Sequence, residues 1–151
     1  MITTQLESFT EQLEELKPLL PLHYEELALN QDKVPLAPQY DIYIKREELG
    51  ELLFLTARKD GTLIGYYIAF IAPGLHYSTC LTCIMDIFYV HPEHRGDNTG
   101  KLILNGVEAE LIRRGVQRWF SGSKIHFPCD WLLQKQGFEP VETTHSKWLG
   151  G

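Results

Sequence analysis

The chain has 151 residues, of which 44% are apolar and 23% charged, and its net charge is −6. This composition is typical of one globular domain and excludes disordered, collagen-like and low-complexity chains. The acidic balance argues against a nucleic-acid partner, which requires a basic face. No apolar run is long enough to span a membrane, no signal peptide is evident, and three cysteines suit a reducing compartment. We therefore expect a cytoplasmic protein without nucleic-acid or membrane partners.

Helical patterns open the chain. Thr4 and Glu7 have the spacing of a capping box, which predicts a helix start. One face of that helix would carry Leu6, Phe9, Leu13 and Leu16. The prolines that follow end the helix, and Pro21 opens a second short helix to Leu27. Residues 30–40 are rich in turn formers and predict a loop.

The middle of the chain carries β-rich segments. Predicted strands are Leu52–Arg58, Leu63–Ile71, Leu75–Thr79 and Thr82–Val90. Turn-forming residues separate them, and Lys59–Thr62 has the composition of a hairpin turn.

The last third alternates helices and strands. A helix is predicted from Lys101 to Arg114, a strand over Val116–Ser121, and a helix over Pro128–Gln136. One or two closing strands are expected within Phe138–Leu149. This order of elements predicts a single domain of the α/β (or α+β) class.

The loop that precedes the Lys101 helix has the chemistry of an anion cradle. Free backbone N–H groups and the helix dipole would stabilise a diphosphate there. Arg95 and Lys101 add cationic donors, and Gly96 and Gly100 allow close backbone approach. Asn98 tolerates a left-handed conformation better than most residues. The alternative is an ordinary strand-to-helix turn with surface charges.

The segment Phe88–Leu102 resembles motif A of the GNAT family of acyl-CoA-dependent N-acetyltransferases. That motif is Gln/Arg-x-x-Gly-x-Gly/Ala after a strand ending in Val-x-Pro, and Arg95 and Gly100 match it. Gly65–Tyr67 resembles the family's hairpin strand, and Gln136–Val141 resembles its closing Gly-Phe turn. The resemblance covers nearly the whole chain and is strongest to small members encoded by bacteriophages.

The resemblance implies one GNAT-like domain over residues 1–151, with a mixed, mostly antiparallel sheet flanked by helices. It implies transfer of an acetyl group from acetyl-CoA to a primary amine, on a small molecule or a protein lysine. It further implies no metal, a possible homodimer, and the host cytoplasm if the protein is phage-encoded. The implied pantetheine contacts are Phe88, Tyr89 and Val90, and the implied diphosphate contacts are Arg95, Gly96, Asp97, Asn98, Thr99, Gly100 and Lys101.

Three positions depart from the family pattern. Asn98 replaces the first motif glycine, and Asp97 places a carboxylate beside the expected diphosphate. Leu133 stands where the family often has a tyrosine that protonates the leaving thiolate. These departures favour an alternative function, a non-catalytic GNAT-shaped protein-binding module with a vestigial CoA site.

Asp86 is a carboxylate within an otherwise apolar strand. Strand alternation predicts that it shares a face with Phe88 and Val90. It could pair with a buried structural partner, or act as a general base whose pKa is raised by desolvation. The family's frequent glutamate base falls at Ile84 in this register.

His126 is a second catalytic candidate, because it precedes the last helix where the family often has an asparagine. It could relay a proton, or bond backbone at the helix start. Tyr24, Glu25 and Glu26 lie where family members build the acceptor pocket from their first helices. The alternative for these three residues is a solvated helix face.

Overall fold

The computed structural model describes all residues from 1 to 151. Its five strands form one mixed sheet in chain order, with β1 to β4 antiparallel and β5 parallel to β4. The strands are β1 (Ile2–Leu6), β2 (Leu52–Lys59), β3 (Thr62–Pro73), β4 (Leu81–Val90) and β5 (Arg118–Phe120). The predicted fold class, a mostly antiparallel mixed sheet flanked by helices, is confirmed.

Helices cover both faces of the sheet. They are α1 (Phe9–Leu16), α2 (Leu20–Leu27), α3 (Tyr40–Glu48), α4 (Thr99–Arg113) and α5 (Asp130–Lys135). Helices α4 and α5 pack on one face, and α1 to α3 pack on the other. The longest helix, α4, has 15 residues, and no helix has the length and apolar character needed to cross a bilayer.

The hydrophobic core lies in two layers, one on each side of β2 and β3. On the first face, α4 contributes apolar residues at helical spacing: Ile103, Leu104, Val107 and Leu111. On the second face, Phe9, Leu16 and Leu20 pack against Phe54 and Tyr66. Because both faces of these strands are covered, β2 is apolar nearly throughout instead of alternating.

The predicted start of the first helix was wrong. Residues 2–6 pair with β2 as an edge strand, and α1 begins only at Phe9. The side chain of Ser8 accepts the Glu11 amide proton, so Ser8–Glu11 forms the cap that was predicted at Thr4. Helix α3 had no sequence prediction, although Tyr40, Tyr43 and Ile44 have helical spacing and pack on the core.

Two predicted strands do not form. Residues 75–79 belong to the loop between β3 and β4, where the Tyr77 amide donates to the Gly74 carbonyl and the Cys80 amide donates to the Tyr77 carbonyl. Leu75 is fully exposed, so no apolar face holds this segment on the sheet. Residues 139–151 are exposed and join no strand, because Pro140 and its polar neighbours offer little apolar surface to bury.

Candidate active site

A cleft of about 1100 Å³ opens along the C-terminal half of β4. The parallel partner β5 pairs only with Thr82–Ile84, so β4 has no neighbouring strand on that edge beyond Ile84. The amide of His91 bonds to Ile64 on the β3 side. Alternation along the strand therefore turns the backbone N–H and C=O groups of Phe88 and Val90 toward the open edge.

A β-bulge at Asp86 interrupts β4. Ile68 of β3 faces Ile87, while the adjacent Ala69 faces Met85, which leaves Asp86 without an opposing residue. The extra residue resets the alternation, so the predicted common face of Asp86 with Phe88 and Val90 is wrong. Phe88 and Val90 pack toward α4, whereas Asp86 lies on the side of α3.

Asp86 is paired with Tyr43 of α3. The Tyr43 hydroxyl donates to Oδ2 of Asp86 at 2.5 Å. The carboxylate is open to the cleft but is surrounded by apolar atoms, and this desolvation raises its pKa, while the Tyr43 hydrogen bond lowers it. Burial and the adjacent carboxylate raise the pKa of Tyr43, so its hydroxyl stays protonated. Asp86 is the only carboxylate that lines the cleft.

Two residues of the loop before α4 have a left-handed backbone conformation. Gly96 and Asn98 both have positive φ, at 94° and 69°. The Asp97 carboxylate accepts hydrogen bonds from the amide and hydroxyl of Thr99, which hold its pKa below the ordinary value. A Cβ at Gly100 would lie 3.0 Å from Cδ2 of Leu132, so this position accepts only glycine without a shift.

The left-handed conformation of Asn98 gives a stability prediction. Asn98→Gly is expected to be close to neutral, whereas Asn98→Val should cost about 1–2 kcal/mol of unfolding free energy, because a β-branched residue resists positive φ. Urea unfolding of the two variants measures the difference. Equal stabilities would show that the loop runs differently from the conformation described.

Arg95 is bound by groups of the protein itself. Its two terminal nitrogens donate to the Glu26 carboxylate at 2.7 and 2.9 Å, and its Nε donates to the Val90 carbonyl at 2.9 Å. The guanidinium also lies over the rings of Tyr89 and Phe127. Three of its five N–H donors are thus used, and two are left for a ligand.

Three lysines line the same end of the cleft: Lys101, Lys124 and Lys135. None of them lies within ion-pair distance of a carboxylate. Lys101 was part of the sequence motif. Lys124 and Lys135 were not predicted, because an isolated lysine outside a motif carries no local signal for a site.

The other predicted site residues have different surroundings. Nε2 of His126 lies 3.0 Å from the Leu27 carbonyl at the end of α2, and His126 does not line the cleft. Tyr24 lines the cleft wall, and its hydroxyl lies within hydrogen-bond distance of the carbonyls of Gln31 and Val34, one of which accepts its single proton. Glu25 is exposed and outside the cleft, and Glu26 is paired with Arg95. The catalytic role of His126 and the acceptor roles of these α2 residues stay predictions.

His23 of α2 packs in an aromatic cluster beside the cleft. Its ring centroid lies 5.2 Å from that of Tyr89 and 6.3 Å from that of Tyr66. Burial lowers the pKa of His23 to about 4, so the ring is neutral at physiological pH. The hydroxyls of Tyr66 and Tyr89 are buried in the same cluster without a hydrogen-bond partner.

His23 should make the protein less stable in acid. Between its ordinary pKa near 6.5 and its folded value of about 4, the unfolded chain binds a proton that the folded chain does not. Lowering the pH through this window should therefore remove roughly 2–3 kcal/mol of unfolding free energy. His23→Phe should abolish that part of the pH dependence in denaturant titrations, and His145→Phe, at an exposed site, should not. Identical pH dependence in all three proteins would contradict this assignment.

Comparison with known proteins agrees with the fold. The chain aligns over its full length with the ribosomal-protein-alanine N-acetyltransferase of Brucella melitensis biovar Abortus 2308, with 18% identity, 99% of that chain covered and a TM-score of 0.76. An aminoglycoside acetyltransferase from a soil metagenomic sample gives 15% identity, 99% coverage of both chains and a TM-score of 0.77.

A predicted acetyltransferase from Clostridium acetobutylicum, whose structure contains acetyl-CoA, gives 13% identity and a TM-score of 0.70, with 99% of this chain and 97% of that chain covered. No curated protein matches the sequence. Residues 13–138, most of the chain, match the model of the acetyltransferase (GNAT) family. The chain therefore belongs to the acetyltransferase (GNAT) family.

Proposed function

We propose that the protein is an N-acetyltransferase that moves the acetyl group of acetyl-CoA directly to a primary amine. Membership of the acetyltransferase family supports the reaction class. The proposal is carried by one observation: three features lie in the same cleft. They are the open edge of β4, the cationic N-terminus of α4 and the partly desolvated carboxylate of Asp86.

The described residues fit acetyl-CoA. Beyond Ile84, β4 offers unpaired backbone groups at Phe88 and Val90 to an extended amide-containing arm. The Val90 carbonyl is the exception, because Arg95 already occupies it. The amide protons at the start of α4, the two remaining Arg95 donors and Lys101 would hold the diphosphate.

The chemistry requires a neutral amine, because an ammonium has no lone pair. When bound, acetyl-CoA would supply a thioester as the acyl donor. The amine nitrogen would form a bond to the thioester carbonyl carbon while the C–S bond breaks, and CoA would leave as a thiolate that takes up the proton lost by the nitrogen on forming the amide. Asp86 would take the amine's proton, directly or through a water, and Tyr43 would hold the carboxylate in place. Holding both reactants in one cleft supplies much of the remaining rate enhancement.

Replacing Tyr43 distinguishes a catalytic Asp86 from a carboxylate that makes only a structural contact. The Tyr43 hydrogen bond lowers the pKa of Asp86, so Tyr43→Phe should raise that pKa. Since Asp86 acts only when ionised, the acid limb of the kcat/KM profile should move to higher pH. Tyr77→Phe, at an exposed residue outside the cleft, is the matched control. An acid limb that stays in place would show that another group titrates.

One set of observations favours a second candidate, the binding module with a vestigial CoA site. The Asp97 carboxylate occupies an α4 amide, and Glu26 occupies two Arg95 donors, so anions of the protein already sit where a diphosphate would bind. Calorimetric titration with acetyl-CoA and a native mass spectrum of the purified protein separate the two candidates. Saturable binding or co-purified CoA supports the enzyme. The absence of both would overturn the enzyme in favour of the binding module.

A further inference from the structure

The charges that line the cleft are unevenly distributed. Arg95, Lys101, Lys124 and Lys135 contribute four cations from the α4 loop, the first turn of α4, the segment before α5 and α5 itself. Arg95 is paired with Glu26, and the three lysines have no carboxylate partner. Asp86 contributes the one carboxylate. The acidic surplus of the whole chain, 20 acidic against 14 basic residues, is therefore not present in the cleft.

The part of the cleft beyond Asp86 has apolar walls. Helices α1 to α3 and the loop between α2 and α3 contribute Phe9, Leu16, Leu20, Pro35, Leu36 and Tyr40. Phe9, Leu16 and Leu20 are buried in the core, so the apolar surface that a ligand can reach comes mainly from Pro35, Leu36 and Tyr40. This end of the cleft contains one counter-charge for a cation and a large apolar surface.

We propose that the acceptor is a small primary amine with a single positive charge on an aromatic or branched apolar body; this inference rests on the proposed acetyl transfer. One ammonium would be paired with Asp86, and the apolar body would cover the walls. A polyamine or an aminoglycoside carries further ammonium groups. An extra ammonium group placed against the apolar walls would lose its hydration water without gaining a carboxylate partner. One placed near α4 would be repelled by the cations there.

The direct test compares amines that differ in one respect. Butylamine and putrescine have the same carbon chain, and putrescine adds only the second ammonium. Phenylethylamine adds an aromatic body, and kanamycin represents the polycationic class. With acetyl-CoA present, kcat/KM should fall from phenylethylamine to butylamine, and putrescine should lie at least about 10-fold below butylamine. Kanamycin should be the poorest substrate.

A pair of variants tests the same inference from the protein side. Leu36→Glu adds a second carboxylate to the apolar wall, and should narrow or reverse the preference for butylamine over putrescine. Leu22→Glu adds the same charge on α2 outside the cleft and should leave the preference unchanged. The two positions are similarly exposed, at 41% and 40%, so a difference between the variants reports the location of the charge.

Failure of the inference and failure of the proposed function give different results. Acetylation of putrescine or kanamycin at least as fast as butylamine overturns the substrate class and keeps the acetyltransferase. If no amine is acetylated, the proposed function fails, and the substrate class is decided by ligand-observed NMR binding of the same amines to the protein. Tighter binding of phenylethylamine than of putrescine supports the class, and equal binding or none overturns it.

Discussion

Asp86→Asn is expected to lower the rate of acetyl transfer by about 10²- to 10⁴-fold, the usual contribution of a general base. The amide keeps the size of the carboxylate and can still accept the Tyr43 hydroxyl proton, but it cannot take a proton from the amine. Acetyl-CoA affinity should stay the same, because the Asp86 side chain lies on the α3 side of β4 and the amide keeps the Tyr43 contact, so the backbone of Phe88 and Val90 is undisturbed.

Thermal melting separates this role from a structural one. If the Asp86–Tyr43 pair only holds α3 against β4, Asp86→Asn should replace a charge-assisted hydrogen bond with a weaker neutral one, lower the melting temperature and leave turnover per folded molecule unchanged. Tyr43→Phe breaks the same tie and keeps the carboxylate, so it serves as the control for packing. Full turnover by a folded Asp86→Asn protein would end the assignment of Asp86 as the base.

Arg95→Ala should weaken acetyl-CoA binding by about 10- to 150-fold, through loss of a charge-assisted contact to the diphosphate. The side chain also ties α2 to the end of β4 through Glu26 and the Val90 carbonyl. The variant should therefore also melt at a lower temperature, because Glu26 loses its partner.

Glu26→Gln separates the two roles of Arg95. This variant weakens the ion pair that links α2 to Arg95, but it keeps the guanidinium. It also removes an anion that would compete with the diphosphate, so acetyl-CoA affinity should be unchanged or higher. Calorimetric titration of wild type and both variants gives the three affinities. Equal weakening in Arg95→Ala and Glu26→Gln would make Arg95 a structural tie only, and unchanged affinity in Arg95→Ala would contradict a diphosphate contact.

Local sequence patterns were sufficient to predict an element where only one pattern fits the segment. The α4 loop is an example, because its residues are adjacent in sequence and Asn98 has the predicted tolerance for positive φ. At the N-terminus two capping boxes, Thr4–Glu7 and Ser8–Glu11, follow one another directly. Pairing of residues 2–6 with residues 55–59 of β2 decides between them, and the paired residues are far apart in the sequence.

The acceptor side of the site could not be predicted in the same way. The bulge at Asp86 is one extra residue in a strand, and it reverses the faces that alternation predicts. The partner Tyr43 lies 43 residues away in a helix that had no prediction, although its apolar spacing was readable. Lys124 and Lys135 line the cleft from the segment between β5 and α5 and from α5, and their place there depends on tertiary packing that local patterns do not predict.

Product analysis with isotope-labelled acetyl-CoA tests most directly whether this cleft transfers an acetyl group. The purified protein is incubated with labelled acetyl-CoA and, in separate samples, phenylethylamine, butylamine, putrescine or kanamycin. The amine fraction is examined by mass spectrometry, with Asp86→Asn as the parallel sample. We predict labelled N-acetyl amine from the wild type and about 10²- to 10⁴-fold less from the variant. Absence of labelled product from every primary amine offered, in a folded protein, would contradict the account.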